Sequence, residues 1–175
     1  MELIPSWAPN VHPMIVHFPI GLLTAAAAVD LVSLFMHHRS DVREAATWLY
    51  IVGAAVAVIT YFSGHRAAEP MMLPVPISDL VNTHADWAFR TTWSFAFFAS
   101  LRLALSYLLQ PKLPLLVGSF LVALVGIGML FETVEYGGQL VFEHGLGVQA
   151  IAPDGMVQTL VDTSGGLSIE SEVQK

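Results

Sequence analysis

Four long stretches that are nearly free of charged residues limit what this chain can fold into. They cover approximately residues 13–36, 45–64, 85–109 and 112–136. Each is long enough to cross a bilayer, since a membrane-spanning helix needs about 20 apolar residues. Only 12% of the residues are charged, whereas a soluble domain carries about twice that share. The sequence therefore predicts an all-α integral membrane protein, a bundle of four transmembrane helices that run alternately up and down.

The bundle is expected to occupy residues 1–144, with its fourth helix extending over 112–144, and a short polar tail is expected over 145–175. The first ten residues contain no Lys or Arg, and the first apolar run is too long for the apolar segment of a signal peptide. We therefore expect the first helix to act as its own insertion signal. The proline-rich segment 65–84 is predicted to be an irregular loop, and no internal repeat is evident in the sequence.

Basic residues near the helix ends set the expected orientation, because cytoplasmic loops are enriched in Lys and Arg. Arg39 and Arg43 lie between the first and second helices, and Lys112 lies between the third and fourth. Only Arg66 is close to the membrane on the other side. This bias is small, and it places both termini on the periplasmic side of a bacterial inner membrane.

Composition also limits the chemistry that the chain can carry out. Cysteine is absent, which excludes disulfides, thiolate-bound iron–sulfur clusters and covalent haem attachment through CxxCH. A redox cofactor would have to be held by His, Met or another non-thiol ligand. The net charge of −7 and the lack of any basic run do not suggest a nucleic-acid partner.

Five of the seven histidines fall on the predicted outer side of the bundle, and together they come from all four helices. They are His12 and His17 at the start of the first helix, His65 at the end of the second, His84 at the start of the third and His144 at the end of the fourth. The remaining two, His37 and His38, lie in the opposite loop. Histidines favour membrane interfaces in any case, but polar residues are costly there and tend to be functional. The convergence therefore predicts a ligand site.

The spacing of the first two histidines suggests different depths. In a helix, five residues correspond to a rise of about 7.5 Å and a rotation of about 140°, so His12 and His17 cannot easily bind one metal ion together. We expect His17 to be the deeper and better desolvated ring. Diagonal helices face each other across a four-helix bundle, which favours pairing His17 with His84, and His144 with His12 or His65.

Small residues lie one or two helical turns from these histidines. They are Gly21, Ala88, Gly137 and Gly138. A glycine pair inside a helix is unfavourable unless something approaches the backbone closely. The small residues could admit a flat macrocycle or allow close packing of helices, which is common in membranes. Histidines beside small residues fit haem b better than zinc, which favours a tetrahedron that often includes Cys or a carboxylate.

Two charges inside the predicted spans are expected to pair. Asp30 lies about five helical turns beyond His12, and Arg102 lies the same distance beyond His84. The two helices run in the same direction, so both charges should reach a similar depth, where an unpaired charge is costly. An ion pair that fastens the helices is favoured, and a proton route is the alternative.

Arg90 is a further charge on the third helix, about one and a half turns past His84. It could pair with Glu132 or Glu135 of the fourth helix, or with a haem propionate. The sequence leaves these possibilities open.

Motifs at the two ends of the chain resemble a known family. "HPMIVHFPIGLL" and "GGQLVFEHGLGV" are similar to the patterns HPxxVHFPI and GGxLVxxHGxGV of a widespread family of small bacterial four-helix membrane proteins of unknown function. The resemblance covers residues 11–148. The matching residues are His12, His17, His84, Gly137, Gly138, His144 and Gly145. The resemblance implies haem b binding and an association with c-type cytochromes, and His65 is not part of the pattern.

These observations predict a membrane b-type cytochrome subunit, with bis-His haem near the periplasmic face. It would pass electrons between a periplasmic redox protein, such as a c-type cytochrome, and another membrane or surface component. Two haems fit the number of histidines, and one is the conservative alternative. Bis-His ligation leaves no open position on the iron, so no catalysis is expected. The other hypotheses are a cofactor-free membrane anchor or assembly subunit, and a metal binder in which Met71 and Met72 provide soft ligands for Cu(I).

Overall fold

The structure is a computed structural model of the chain, and it describes residues 11–36, 38–68, 73–108, 112–147, 150–151 and 157–158. His37, Met71, Met72 and most of the predicted tail lie outside the described residues, so the predictions made for them are not addressed by the structure.

The described residues form four helical rods. The helices are α1 His12–Ile15, α2 His17–Phe35, α3 Ser40–Ala68, α4 Val75–Leu108 and α5 Leu113–Phe142. Only Val16 separates α1 from α2, so the two form one rod. After the last rod, β1 Ala150–Ile151 pairs antiparallel with β2 Val157–Gln158. The helical fold class predicted from the sequence is confirmed for the four rods.

Prolines account for where several helices begin or break. Pro13 and Pro114 lie in the first turns of α1 and α5. Backbone N–H groups in a first turn have no partner within the helix, so a proline there costs no helical hydrogen bond. The break at Val16 follows from Pro19, because a proline has no N–H to donate to the carbonyl of Ile15, four residues earlier.

The middle helices are longer than predicted. α3 begins at Ser40 and α4 begins at Val75, whereas the apolar runs begin at 45 and 85. The irregular loop predicted for 65–84 is therefore wrong over 65–68 and 75–84. Pro74 accepts the first backbone bonds of α4, from the N–H groups of Ile77 and Ser78. From there to Leu108 no proline interrupts the hydrogen-bond ladder beyond the first turn, so the helix continues through polar residues.

Three of the four rods, His12–Phe35, Ser40–Ala68 and Leu113–Phe142, are long and apolar enough to cross a membrane. α4 is the longest helix, at 34 residues, but it is not among them, since its Thr, Ser and Arg residues lower its hydropathy. Three of the predicted spans are thus confirmed by length and composition, and the fourth stays a prediction.

The rods are arranged as a ring in which sequence neighbours are spatial neighbours. α2 packs against α3 and α5, and α4 packs against the same two helices, so α2 and α4 lie diagonally across the core. This confirms the diagonal arrangement predicted for the first and third rods. Buried residues on all four rods form the core, including Leu23, Ala26, Tyr50, Phe95 and Ala123.

A buried ion pair joins the diagonal helices, as predicted. Asp30 Oδ1 lies 2.6 Å from Arg102 Nη2, and Oδ2 lies 2.8 Å from Nη1. The guanidinium also donates to the hydroxyls of Thr47 and Ser119, each at 3.0 Å, and lies over the ring of Tyr50. Asp30 is 1% exposed and Arg102 is 10% exposed. We call this part of the bundle the ion-pair end.

Candidate functional site

His12 is fixed against α3 by its Nδ1 atom. Nδ1 lies 2.9 Å from Ser63 Oγ and 3.2 Å from the carbonyl oxygen of Thr60. The Ser63 hydroxyl donates to that same carbonyl at 2.7 Å, so both oxygens accept from the imidazole. Nδ1 therefore carries the proton, and the lone pair is on Nε2.

His84 is fixed against α5 in the same way. Its Nδ1 lies 3.0 Å from the carbonyl oxygen of Thr133, and a carbonyl can only accept, so the lone pair is again on Nε2. The residue was predicted at the start of its helix, but it lies well inside α4, which begins at Val75. That prediction is wrong because α4 starts well before its apolar run.

Each imidazole lies against a glycine of its neighbouring helix. A Cβ added to Gly64 would be 2.8 Å from His12 Cε1, and one added to Gly137 would be 3.0 Å from His84 Cε1. Any larger residue at either position would push the ring away. Gly137 therefore accommodates a histidine ring, whereas the sequence suggested either a macrocycle or helix–helix packing.

His12 and His84 have similar surroundings, since the Nδ1 atom of each ring lies at a backbone carbonyl of a neighbouring helix. Both are half-buried and belong to the diagonal rods. In metal-binding histidines, the second ring nitrogen usually donates to a carbonyl or carboxylate, which fixes the tautomer and raises the basicity of the coordinating nitrogen. His12 and His84 have this arrangement, and we call their part of the bundle the histidine end.

His17 does not share these surroundings. Its side chain is exposed, whereas His12 is half-buried, so the prediction that His17 is the better desolvated ring is wrong. The physical reason is the rotation of about 140° between the two positions, which turns His17 outward when His12 faces α3. Gly21 is exposed as well, with nothing within 4 Å of an added Cβ.

His65 and His144 are also exposed. His65 lies in the last turn of α3, and His144 lies in the turn that follows α5. That turn contains two glycines with positive φ, Gly145 at 65° and Gly147 at 80°. An added Cβ on Gly147 would be 3.1 Å from Pro13, so the turn packs against the start of α1, next to His12.

The remaining predicted site residues have modest contacts. Ala88 is half-buried, and the nearest atom to an added Cβ on Gly138 is in Phe142, at 4.0 Å. Arg90 is exposed and its guanidinium lies over the ring of Trp87, 5.4 Å from the centroid.

The acidic partners suggested for Arg90 are placed differently. Glu135 accepts a hydrogen bond from Gln139, and Glu132 is exposed. No ion pair joins Arg90 to either of them within the described residues.

Sequence reasoning missed the residues that hold the two imidazoles. These are Thr60, Ser63 and Gly64 on α3, and Thr133 on α5. A signal was present, because a Gly follows the Thr by one helical turn in both helices. That spacing puts the carbonyl and the bare backbone on one face.

The described residues contain no group of three or more His, Asp or Glu side chains that could hold a metal ion. A family model described as "Predicted membrane protein (DUF2231)" matches residues 8–150. Among curated proteins and among solved structures, nothing matches the chain.

Proposed function

We propose that this chain, which belongs to the DUF2231 family of predicted membrane proteins, is a membrane b-type cytochrome subunit. Haem b would be held at the histidine end by His12 and His84. The protein would transfer electrons between a periplasmic redox protein, such as a c-type cytochrome, and a membrane or surface component. This pairing replaces the predicted partnership of His17 with His84.

The observation that carries the proposal is that the two imidazoles have the same hydrogen-bonding arrangement. Both rings have Nδ1 at a backbone carbonyl, and a neutral ring held in this way has on Nε2 the lone pair that a metal requires. Two histidines are too few for a bare zinc ion, which takes four ligands. They are enough for haem iron, because the porphyrin supplies four further nitrogens. Bound haem would supply one-electron redox chemistry at this end of the bundle.

The surrounding residues would set the strength of the two ligands. A hydrogen bond from Nδ1–H to a carbonyl makes Nε2 more electron-rich, which favours the ferric state and lowers the reduction potential. The Thr60 and Thr133 carbonyls would have this role toward a bound haem. Gly64 and Gly137 let the rings approach those carbonyls closely.

Two features support a fourth membrane span in α4. Its 34 residues correspond to about 51 Å of helix, more than the roughly 30 Å of a bilayer core. The side chain of its Arg102 is 10% exposed and is paired with Asp30, so that charge does not face lipid.

The distance between the two polar ends supports the position of the site. His12 and Asp30 are about five helical turns apart, which is a rise of about 27 Å and close to the bilayer core thickness. Arg39, Arg43 and Lys112 lie near the ion-pair end, which favours that end as the cytoplasmic one. The histidine end would then be at the periplasmic interface.

The test is a visible spectrum of the purified protein, oxidised and then reduced with dithionite. Bis-His haem b gives a sharp α-band on reduction, and haem per chain is measured as pyridine haemochrome. His12→Ala and His84→Ala should each lose most of the haem, whereas His17→Ala and His38→Ala serve as exposed controls and should retain it. A wild-type protein without haem would instead favour a cofactor-free anchor, and retention in His12→Ala would exclude the proposed ligand pair.

A further inference from the structure

The bundle consists of two helical hairpins, one formed by α1, α2 and α3 and the other by α4 and α5. The two hairpins make the same contacts at equivalent positions. His12 bonds to the carbonyl of Thr60 across a sequence separation of 48, and His84 bonds to that of Thr133 across a separation of 49. The two hairpins thus differ by a single position between the histidine and its carbonyl. The glycines against the two rings keep the same order, since each follows its threonine by one helical turn.

The correspondence continues along the core. An added Cβ on Gly53 would be 2.8 Å from Leu23, and one on Gly126 would be 2.9 Å from Phe95. Phe95 follows Leu23 by the same interval that separates the two histidines, and Gly126 follows Gly53 by the interval that separates the two threonines. A large side chain of the first helix therefore fills the space over a glycine of the second helix in both hairpins.

At the ion-pair end the equivalent residues touch each other. Asp30 and Arg102 have a sequence separation of 72, which is also the separation of His12 and His84, and they form the buried salt bridge. Residues related by a twofold rotation meet only on the rotation axis. The ring order of the helices allows such an axis, because a half-turn exchanges α2 with α4 and α3 with α5.

We propose that the chain consists of two structural repeats related by a twofold axis parallel to the helices. The axis passes through the pair of Asp30 and Arg102 and between His12 and His84. The histidine site therefore takes one ligand per chain, shared by both repeats. The identity of that ligand as haem rests on the proposed function, but the repeats do not. One haem is therefore proposed in place of the two favoured from the sequence. The repeats consist of equivalent contacts, so they are compatible with the lack of an evident repeat in the sequence.

A departure from the symmetry also has a simple explanation. The hydroxyl of Thr133 bonds to that of Thr91 at 2.9 Å, whereas the buried hydroxyl of Thr60 has no hydrogen-bond partner within the described residues. The position equivalent to Thr91 in the first repeat is occupied by Pro19, which has no hydroxyl. The repeat scheme thus accounts for a polar atom that is otherwise unexplained.

Opposite charges on the axis have a positioning role. Identical repeats would bring two carboxylates or two guanidinium groups together in the core, which is strongly unfavourable. Asp30 in one repeat and Arg102 in the other allow only the mixed pairing. We infer that this pair fixes the height and rotation of α2 against α4, and therefore places the histidines at the same level.

A charge exchange tests the symmetry without depending on haem. Asp30→Arg and Arg102→Asp each put two like charges on the axis, and each should lower the midpoint of thermal unfolding by roughly 10 °C. The double exchange restores opposite charges at equivalent backbone positions and should recover part of that loss. Full recovery is not expected, because the residues equivalent to Thr47, Ser119 and Tyr50, which receive the Arg102 guanidinium, are Phe120, Ala46 and Ala123. Exchanging the exposed pair of Arg39 and Asp41 is the control and should leave the midpoint unchanged. A double variant no better than the poorer single variant, or one that fails to fold, overturns the repeat scheme.

Haem stoichiometry tests the shared site. One haem per chain is expected, with equal losses in His12→Ala and His84→Ala. Two haems per chain, or loss in only one of the variants, would overturn a single site on the axis. A chain that binds no haem would refute the proposed function, and the unfolding data would still decide whether the repeats exist.

Discussion

The glycines beneath the two imidazoles give the most direct test of how the histidine end is built. In Gly64→Ala, the new Cβ would lie 2.8 Å from His12 Cε1, where an ordinary contact begins at 3.4 Å. The ring must therefore move by about 0.6 Å (3.4 − 2.8). Cε1 lies between the two ring nitrogens, so this movement also pulls Nδ1 from the Thr60 carbonyl and from Ser63.

The expected effect is the sum of three contributions. Overpacking costs roughly 1–3 kcal/mol, and weakening the hydrogen bonds of Nδ1 costs roughly 0.5–1.5 kcal/mol. Alanine gains up to about 1 kcal/mol over glycine in a helix. Gly64→Ala should therefore destabilise the bundle by roughly 0.5–4.5 kcal/mol. Gly137→Ala should have a smaller effect of the same sign, because its contact with His84 is 3.0 Å.

Exposed glycines in the helices provide matched controls. An added Cβ on Gly21 or Gly128 has nothing within 4 Å, so alanine there should be neutral or stabilising. Thermal unfolding in detergent measures stability, and pyridine haemochrome measures bound haem in the same samples. If Gly64→Ala and Gly137→Ala match the exposed controls in both measurements, the close contact between ring and backbone is not what holds the histidines.

Two further predictions concern the ion pair and the ligand strength. Arg102→Gln leaves the Asp30 carboxylate buried without its cation and should lower stability by about 3–5 kcal/mol. Adding Asp30→Asn should recover part of that loss in chemical unfolding, and a double variant that is worse than the single would contradict this account. Ser63→Ala removes one of the two acceptors of His12 Nδ1–H, so the haem potential should rise in a redox titration while haem content is kept. Ser63→Thr should preserve the potential, and an unchanged potential in the alanine variant would exclude this role.

The sequence predicted the arrangement of the bundle because its main signals are local. Apolar runs mark the rods, and short connections make neighbouring rods antiparallel. The pairing of Asp30 with Arg102 was also predictable, since equal spacing from His12 and His84 gives equal depth, and a buried charge needs an opposite charge. The boundaries of α3 and α4 were not predictable from hydropathy, because helix formation continues through polar residues until a proline or a turn stops it.

The orientation of each rod about its own axis could not be predicted from hydropathy. Placing the His17 ring opposite His84 was an error of about 140° in rotation, because it is His12 that faces the neighbouring helix, although the diagonal arrangement of the two rods was correct. Both His12 and His17 have apolar neighbours, since lipid and core are equally apolar, so hydrophobic patterning does not show which face of a membrane helix points inward. The Thr and Gly spacing on α3 and α5 does show it, because only an inward face needs bare backbone beside a bonded carbonyl.

The two repeats escape sequence comparison for a related reason. Helix packing repeats the position of a contact in both hairpins, but the residue type at that position can differ. Leu23 in one hairpin therefore corresponds to Phe95 in the other. Asp30 and Arg102 must even be opposite in charge, because equivalent positions meet on the axis. At the histidine end the equivalent residues must instead be identical, since a single ligand on the axis would be bound by the same kind of atom from each repeat. His12 and His84 are therefore the same residue type, because both would bind a ligand on the axis. Asp30 and Arg102 have opposite charges, because their side chains meet on the axis. The same symmetry thus explains both the sequence identity at one end of the bundle and its absence at the other.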